Sequence, residues 1–482
     1  MKRTFQYKLM AAALGMSFLL AGCGSKEEVT DYGSGQSTEA SGGKTTEVEG
    51  ARHGRTLSEQ LGGKDLSYQQ TFAIGDKNVN MNLAIRVIEA EQELESVGEE
   101  FLKNSGGIIW DTETLPSFRA REITEDQVHE AEVVKAVFGD GAKEVRRDIS
   151  IFEGDAEDVV SACEDAYNLY VLGENASDPE RQETVFPAWV DNNAYYLHTY
   201  EGQVNGIESQ LLVSYRKDMK QKIFTLAPKK WGDVAGASDY QFMTHVRDGE
   251  LMLPVKDDPN NYQTVDIKEA FPDLTNKAGA DTAQLSADVS KYLTEQLQLK
   301  LPKEGVGDSG KTTAGELLFY PQGELEKEKP TALILDGYTI PIQTGLGNQS
   351  VYSENPGPDT VQSNSGVVYV TEKGIVAFDL HIAFDYEERL SDQVAILPFD
   401  KAMAAAQEEL TKELDLSKAG SGEIKIDSPH LDYYPVKSPD KEGEYTYIPA
   451  WVCSIWSGDS NYVGEMIQNA MDGSLIRIAY SE

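Results

Sequence analysis

Gly305 and Gly310-Lys311-Thr312 are spaced as G-x-x-x-x-G-K-[ST], a run whose backbone N–H groups and lysine can cradle a phosphate. That chemistry needs a buried strand before the loop and a helix after it, so that a helix N-terminus faces the phosphates. Here Leu297 to Glu304 is half polar and broken by Pro302, and Pro321 cuts short the segment on the other side. The run therefore reads as a surface loop, and no nucleotide is expected. The same loop holds Gly307-Asp308-Ser309-Gly310, while Ser438-Pro439-Asp440-Lys441 sets a serine three residues before a lysine. A serine nucleophile needs a positioned base and an oxyanion hole. Neither can be assigned to Ser309, and Pro439 with Glu442-Gly443 makes the second run a turn. His53, His129, His198, His245, His381 and His430 are scattered, with no H-x-H or H-E-x-x-H pair, so no metal is expected. Asp257-Asp258-Pro259-Asn260-Asn261 offers oxygen atoms but lacks calcium-loop spacing, and reads as a solvated turn. Carboxylates are too numerous to single out a glycosidase pair. No catalytic residue and no cofactor is expected.

The cysteines give a sharper signal. Lys2, Arg3 and Lys8 form a basic start, Leu9 to Leu20 an apolar run, and Leu20-Ala21-Gly22-Cys23 a small-residue ending. This is the layout of a secretory signal, and its ending resembles the lipobox of bacterial lipoproteins. The resemblance implies cleavage between Gly22 and Cys23, a diacylglycerol thioether on the Cys23 sulfur and further acylation such as palmitate. Two cysteines remain. Cys163 lies on the apolar stripe of an expected helix over 155–170, and Cys453 in an expected strand. Two buried free thiols are the favoured reading, with a disulfide as the alternative in an exported protein.

The chain has 482 residues and a formal net charge of -38. That excludes nucleic acid as a partner, since such affinity rests on Lys and Arg neutralising phosphate. It also argues against lying flat on anionic lipid. Residues 24–50 are Gly-, Ser-, Thr- and Glu-rich, a flexible tether whose r.m.s. reach is roughly 30 Å. The expected organisation is a signal over 1–22, a lipidated cysteine and tether over 23–50, and α+β domains over 51–240 and 241–482.

Within these domains Val79, Met81, Leu83, Ile85 and Val87 alternate, predicting a one-face-buried strand over 78–89 after an earlier strand, Gln69 to Ile74. Thr124, with Gln127 three residues on and Ile123 and Val128 as a staple, opens a helix that Gly139 stops. Strands are expected at 185–190, 194–200, 210–215 and 222–226. Pro228, Gly232, Gly236, Pro254 and Pro259 mark 227–260 as a junction. A helix is expected over 287–297, a hairpin from Val367–Thr371 to Ile375–Phe384, and a helix over 401–414 capped by Asp400. Strands at 431–436, 445–456, 462–470 and 474–480 close the chain. Phe186-Pro187-Ala188-Trp189-Val190 echoes Ile448-Pro449-Ala450-Trp451-Val452. The fold class is α+β, two antiparallel-sheet-plus-helix modules with a possible internal repeat.

From about residue 395 to 482, the capped helix, the strands with Tyr445-Thr446-Tyr447-Ile448-Pro449-Ala450-Trp451, and the ending Asn469-Ala470-Met471-Asp472-Gly473 resemble PepSY- or Yyc-type regulatory modules. With the lipobox, Ile123-Thr124-Glu125-Asp126 and Phe138-Gly139-Asp140, the whole chain resembles uncharacterised lipoproteins of clostridial-type Gram-positive bacteria. The resemblance implies a protein held on the outer face of the cell membrane, with the bilayer bound through acylated Cys23. The expected role is non-enzymatic binding or regulation of a membrane or cell-wall protein. A ligand-capturing protein for peptide or glycan and a cell-envelope hydrolase are the alternatives.

Overall fold

The computed structural model describes residues 56–89, 106–144, 195–301 and 315–481, apart from short stretches within them, together with residues 93, 97 and 101. Contacts divide the chain into one unit within Met1–Thr114, Gln393–Leu431 and Pro449–Glu482 and a second within Leu115–Asp392 and Asp432–Ile448. The boundary expected at 240/241 falls inside the second unit, at the first residue of the strand Tyr240–Val246. The C-terminal residues supply strands to both units, so no single cut along the chain separates them. The architecture is α+β, as expected.

In the first unit, Val79, Met81, Leu83, Ile85 and Val87 form the buried face of the strand Lys77–Ile88. It pairs antiparallel with Asp65–Ile74 across the Gly75-Asp76 turn. Ile424–Ile426 lies parallel to Val79–Met81, and Gly107–Trp110 parallel to Ile85–Ile88. Ser428 then takes φ 53, and a Cβ on Gly107 would stand 1.8 Å from the Pro429 carbonyl oxygen, so this close approach requires glycine. From Pro449 on, Glu444–Ser457 is followed by the antiparallel strands Asn461–Asn469 and Leu475–Tyr480.

The helix Phe399–Glu413 buries Phe399, Ala402, Met403, Ala406 and Leu410, a stripe at helical spacing, and the Phe399 ring meets Trp451 at 5.2 Å. Burying each of the larger apolar side chains stabilises by roughly 1.5–3 kcal/mol. Asp400 is not the cap. Pro398 occupies that position without a side-chain bond, and Asp400 lies in the first turn, where a carboxylate suits the helix dipole.

In the second unit, nine strands form one antiparallel sheet in the spatial order Lys143–Glu144, Tyr195–Val204, Ile207–Arg216, Gln221–Pro228, Gly374–Ile382, Ser365–Thr371, Ile334–Gln343, Gly315–Pro321 and Tyr240–Val246. The helix Glu130–Phe138 and the helix Thr282–Lys291, extended by a π turn over Tyr292–Gln296, pack on one face through Val133, Val134, Phe138, Val289 and Leu293. The short helix Trp231–Ala235 packs on a second apolar cluster, its Trp231 ring 6.1 Å from Phe319 and 6.0 Å from Tyr369.

The described residues of 227–260 thus form regular elements rather than a junction, holding that helix, Tyr240–Val246, and the hairpin strands Glu250–Val255 and Asp258–Asp266. The punctuating residues sit where regular structure tolerates them. Pro228 ends a strand, Gly236 closes the helix at φ 72, and Pro254 sits beside a bulge. Asp258 to Asn261 accordingly begin a strand rather than a turn.

The expected strand Ile375–Phe384 is two, Gly374–Ile382 and Phe384–Ser391, with different partners. Between them buried Asn364 accepts from Ala383 N–H at 2.8 Å and Phe384 N–H at 2.9 Å and donates to the Phe384 carbonyl at 2.8 Å. One side chain here replaces the ladder bonds that the chain gives up. The helix expected over 287–297 starts earlier, at Thr282, because Asp281 caps it through Ala283 and Gln284. The first Phe-Pro-Ala-Trp-Val segment, the helix over 155–170 and the strand over 185–190 lie outside the described residues.

Candidate functional site

The signal, Gly22, Cys23 and the tether lie outside the described residues, as do Gly305 to Thr312, Cys163, His53 and His129. Cys453 is a buried free thiol, as expected, and burial pushes that thiol far above its ordinary range. Ser438 to Lys441 form a turn, and Ser438 and Lys441 converge on a carboxylate rather than on each other. Ser438 Oγ donates to Glu444 Oε1 at 3.3 Å, and Lys441 Nζ to Glu444 Oε2 at 3.1 Å. Burial raises the Glu444 carboxyl, but the Lys441 bond and the Lys441 and Arg119 charges bring it below its ordinary value. The strand tyrosines pack on aromatic neighbours: Tyr447 meets Phe384 at 5.5 Å and Tyr386 at 5.1 Å, and Tyr445 meets Phe384 at 5.2 Å.

The second unit brings together a set that sequence reading did not assemble. Alternate residues His198 and Tyr200 of the strand Tyr195–Val204 share a sheet face, in register with Val213 and Leu211. One strand further on, Lys222 pairs with Tyr215. Glu130, in the first turn of the helix Glu130–Phe138, reaches all three. Its Oε1 lies 2.6 Å from His198 Nδ1 and accepts the Tyr200 hydroxyl at 2.7 Å, while its Oε2 stands 3.5 Å from Lys222 Nζ. The Lys222 side chain is 1% exposed and its ammonium sits 6.0 Å from the Phe224 ring centroid. A buried ammonium needs a counter-charge, and Glu130 supplies it. The carboxylate gains from the helix N-terminus as well.

Chemically this is a carboxylate hub with an imidazole, a phenol and an amine around it. It forms a hydrogen-bond and ion-pair network that pins the helix to the sheet. His198, 45% exposed, is its outward member. Alternation within 194–200 was readable as strand, but Glu130 and Lys222 come from other elements, and no spacing links them.

A second polar set sits on the opposite sheet face. Thr225 Oγ1 donates to Asp379 Oδ1 at 2.7 Å, and His381 Nε2 lies 3.1 Å from Asp379 Oδ2. The aspartate stands between the two groups, so the hydroxyl and the imidazole do not form a nucleophile–base pair in this arrangement. Among the described residues no group of three or more His, Cys, Asp or Glu side chains could hold a metal ion, and no helix is long and apolar enough to cross a membrane.

No protein-family model matches the chain, and no curated protein matches it. Among solved structures it is similar to the crystal structure of an uncharacterized protein from Eubacterium rectale ATCC 33656, at 12% identity and a TM-score of 0.36 over 88% of this chain and 96% of that one.

Proposed function

We propose that this chain is a lipoprotein anchored on the outer face of the cell membrane through acylated Cys23, acting as a non-enzymatic binding or regulatory accessory of a membrane or cell-wall protein. The observation that carries the reading is Leu20-Ala21-Gly22-Cys23 behind a basic start and an apolar run of about twelve residues. Two acyl chains, at about 0.8 kcal/mol per buried CH₂, hold a protein stably at a bilayer. The tether over 24–50 and the net charge of -38 fit a body held away from an anionic surface.

Support for the regulatory role comes from the C-terminal resemblance to PepSY and Yyc-type modules. Its ending makes a tight turn: Asn469 Oδ1 accepts from Met471 N–H, Asp472 Oδ1 from Ser474 N–H, and Gln468 Nε2 donates to the Gly473 carbonyl.

Membrane fractionation of a producing cell tests the anchor. The wild type is expected in the membrane pellet and Cys23→Ala in the soluble or secreted fraction; equal partition overturns the reading. Photo-crosslinking in the membrane and then mass spectrometry tests the accessory role. One abundant protein partner is the expected result, and the absence of any reproducible partner contradicts it.

A further inference from the structure

In the first unit the strand residues facing away from the helix Phe399–Glu413 form a row with unusual chemistry for this chain. On the hairpin, Gln69 faces Asn82 and Thr71 faces Asn80. Gln69 Nε2 donates to Asn82 Oδ1 at 3.0 Å, and Thr71 Oγ1 to Asn80 Oδ1 at 3.2 Å. Each pair is solvent-facing, and each asparagine keeps an amide N–H₂ directed away from the bond it accepts. Between the Asp65–Arg86 ion pair at one end and Ala73–Asn78 at the other, the two strands present only Ser, Gln, Thr, Asn and Ala on this side. An uncharged stretch of that length stands out in a chain with 81 acidic and 43 basic residues.

The same face continues across the sheet. Lys425 pairs with Asn80, and Asp427, two residues on, accepts from Trp456 Nε1 at 2.9 Å. Trp456 pairs with Tyr462 on the next strand, and their rings stand 5.1 Å apart at 67°. Tyr462 and Leu390 are the exposed large apolar side chains among the described residues. The bulge between Ile455 and Trp456 sets this pair, and Asp427 fixes the indole by its N–H. From Gln69 to Tyr462 is four strand spacings, about 19 Å.

The half-buried Trp456 and the exposed Tyr462 form a hydrogen-bond-anchored aromatic ledge, set apart from the row of neutral amides and hydroxyls by one strand that carries Lys425 and Asp427, and the amide row and the ledge together match a pyranose polymer. Sugar rings offer C–H faces to aromatic planes and a rim of hydroxyls to groups that both donate and accept. A strongly acidic chain repels anionic polymers, so the glycan that fits is neutral. We propose that this sheet face binds an uncharged polysaccharide strand, the N-acetylated glycan of a cell wall. The cell-wall source rests on the anchored, extracellular reading; the chemistry of the face does not.

The test uses soluble chain from residue 24 on, without lipid, with purified cell-wall sacculi stripped of anionic polymer and with soluble N-acetylglucosamine hexamer. Retention on the sacculi with competition by the hexamer is expected. Trp456→Ala is expected to weaken it at least tenfold. Because that change removes the bond to Asp427, the exposed double change Gln69→Ala/Asn82→Ala is the second variant, expected to weaken it severalfold with an unaltered melting curve. No retention, retention that both variants leave unchanged, or retention only by anionic wall polymer each overturns the proposal. Since no lipid is involved, these outcomes are independent of the fate of Cys23→Ala in cells.

Discussion

Polar side chains serve different ends in the two units. In the second they turn on one another. Glu130 gathers His198, Tyr200 and Lys222, and Asn364 satisfies three backbone groups where one strand ends and another begins. In the first, Gln69, Thr71, Asn80 and Asn82 make one bond per pair and otherwise face water. Strand alternation is the same in both. What differs is whether a helix or a chain crossing covers the polar row. Covered rows become structural because a buried polar group left without its partner is costly, while open rows are free to meet a ligand.

The largest effect is expected at Glu130. Glu130→Gln keeps acceptors for His198 and Tyr200 but removes the charge facing buried Lys222. The expected loss is about 3 kcal/mol, the low end for a broken buried pair because Lys222 has a further interaction. Urea unfolding measures it, and the double change Glu130→Gln/Lys222→Met is expected to recover most of it. Next is Asn364→Ala, which strands the buried Ala383 and Phe384 N–H groups and is expected to cost roughly 1–3 kcal/mol in the same unfolding measurement.

Backbone N–H of Ala332, the Lys327 ammonium and backbone N–H of Thr331 hold the buried Glu324 carboxyl down to about 2 from its ordinary 4.5. A depressed carboxyl contributes stability in full above 4.5, and that stability is lost as pH falls through about 2. Wild type is therefore expected to lose more stability between pH 4.5 and 2 than Glu324→Gln, as melting curves across that window would register. The smallest effect belongs to the first unit. Arg86→Ala removes an ion pair whose side chains are 32% and 71% exposed, and is expected to change stability by less than about 1 kcal/mol. A large loss there, or none at Glu130, would break the contrast.

Much of this fold was legible in the residues, and the limits have physical causes. The strand over Lys77–Ile88 and the turn before Gly374 were readable because a buried face imposes period two and a tight turn needs Gly. The region over 227–260 was misread because Pro and Gly at strand ends, bulges and helix caps carry the same letters as those in loops. The switch at Ala383 was invisible because Asn364, which permits it, is remote in sequence. The interleaving of the two units was hidden for the same reason, since strands far apart in the chain complete each sheet. The hub at Glu130 needed three elements in register, whereas the run Leu20-Ala21-Gly22-Cys23, on which the proposed anchor rests, is local in the chain.

The mass of the N-terminal peptide from membrane-extracted protein reads the proposed anchor at Cys23 without an intervening assay. A chain beginning at Cys23 and carrying a diacylglycerol on its sulfur is the expected result. A chain that begins at Met1, or that begins near residue 23 with an unmodified thiol, would contradict it.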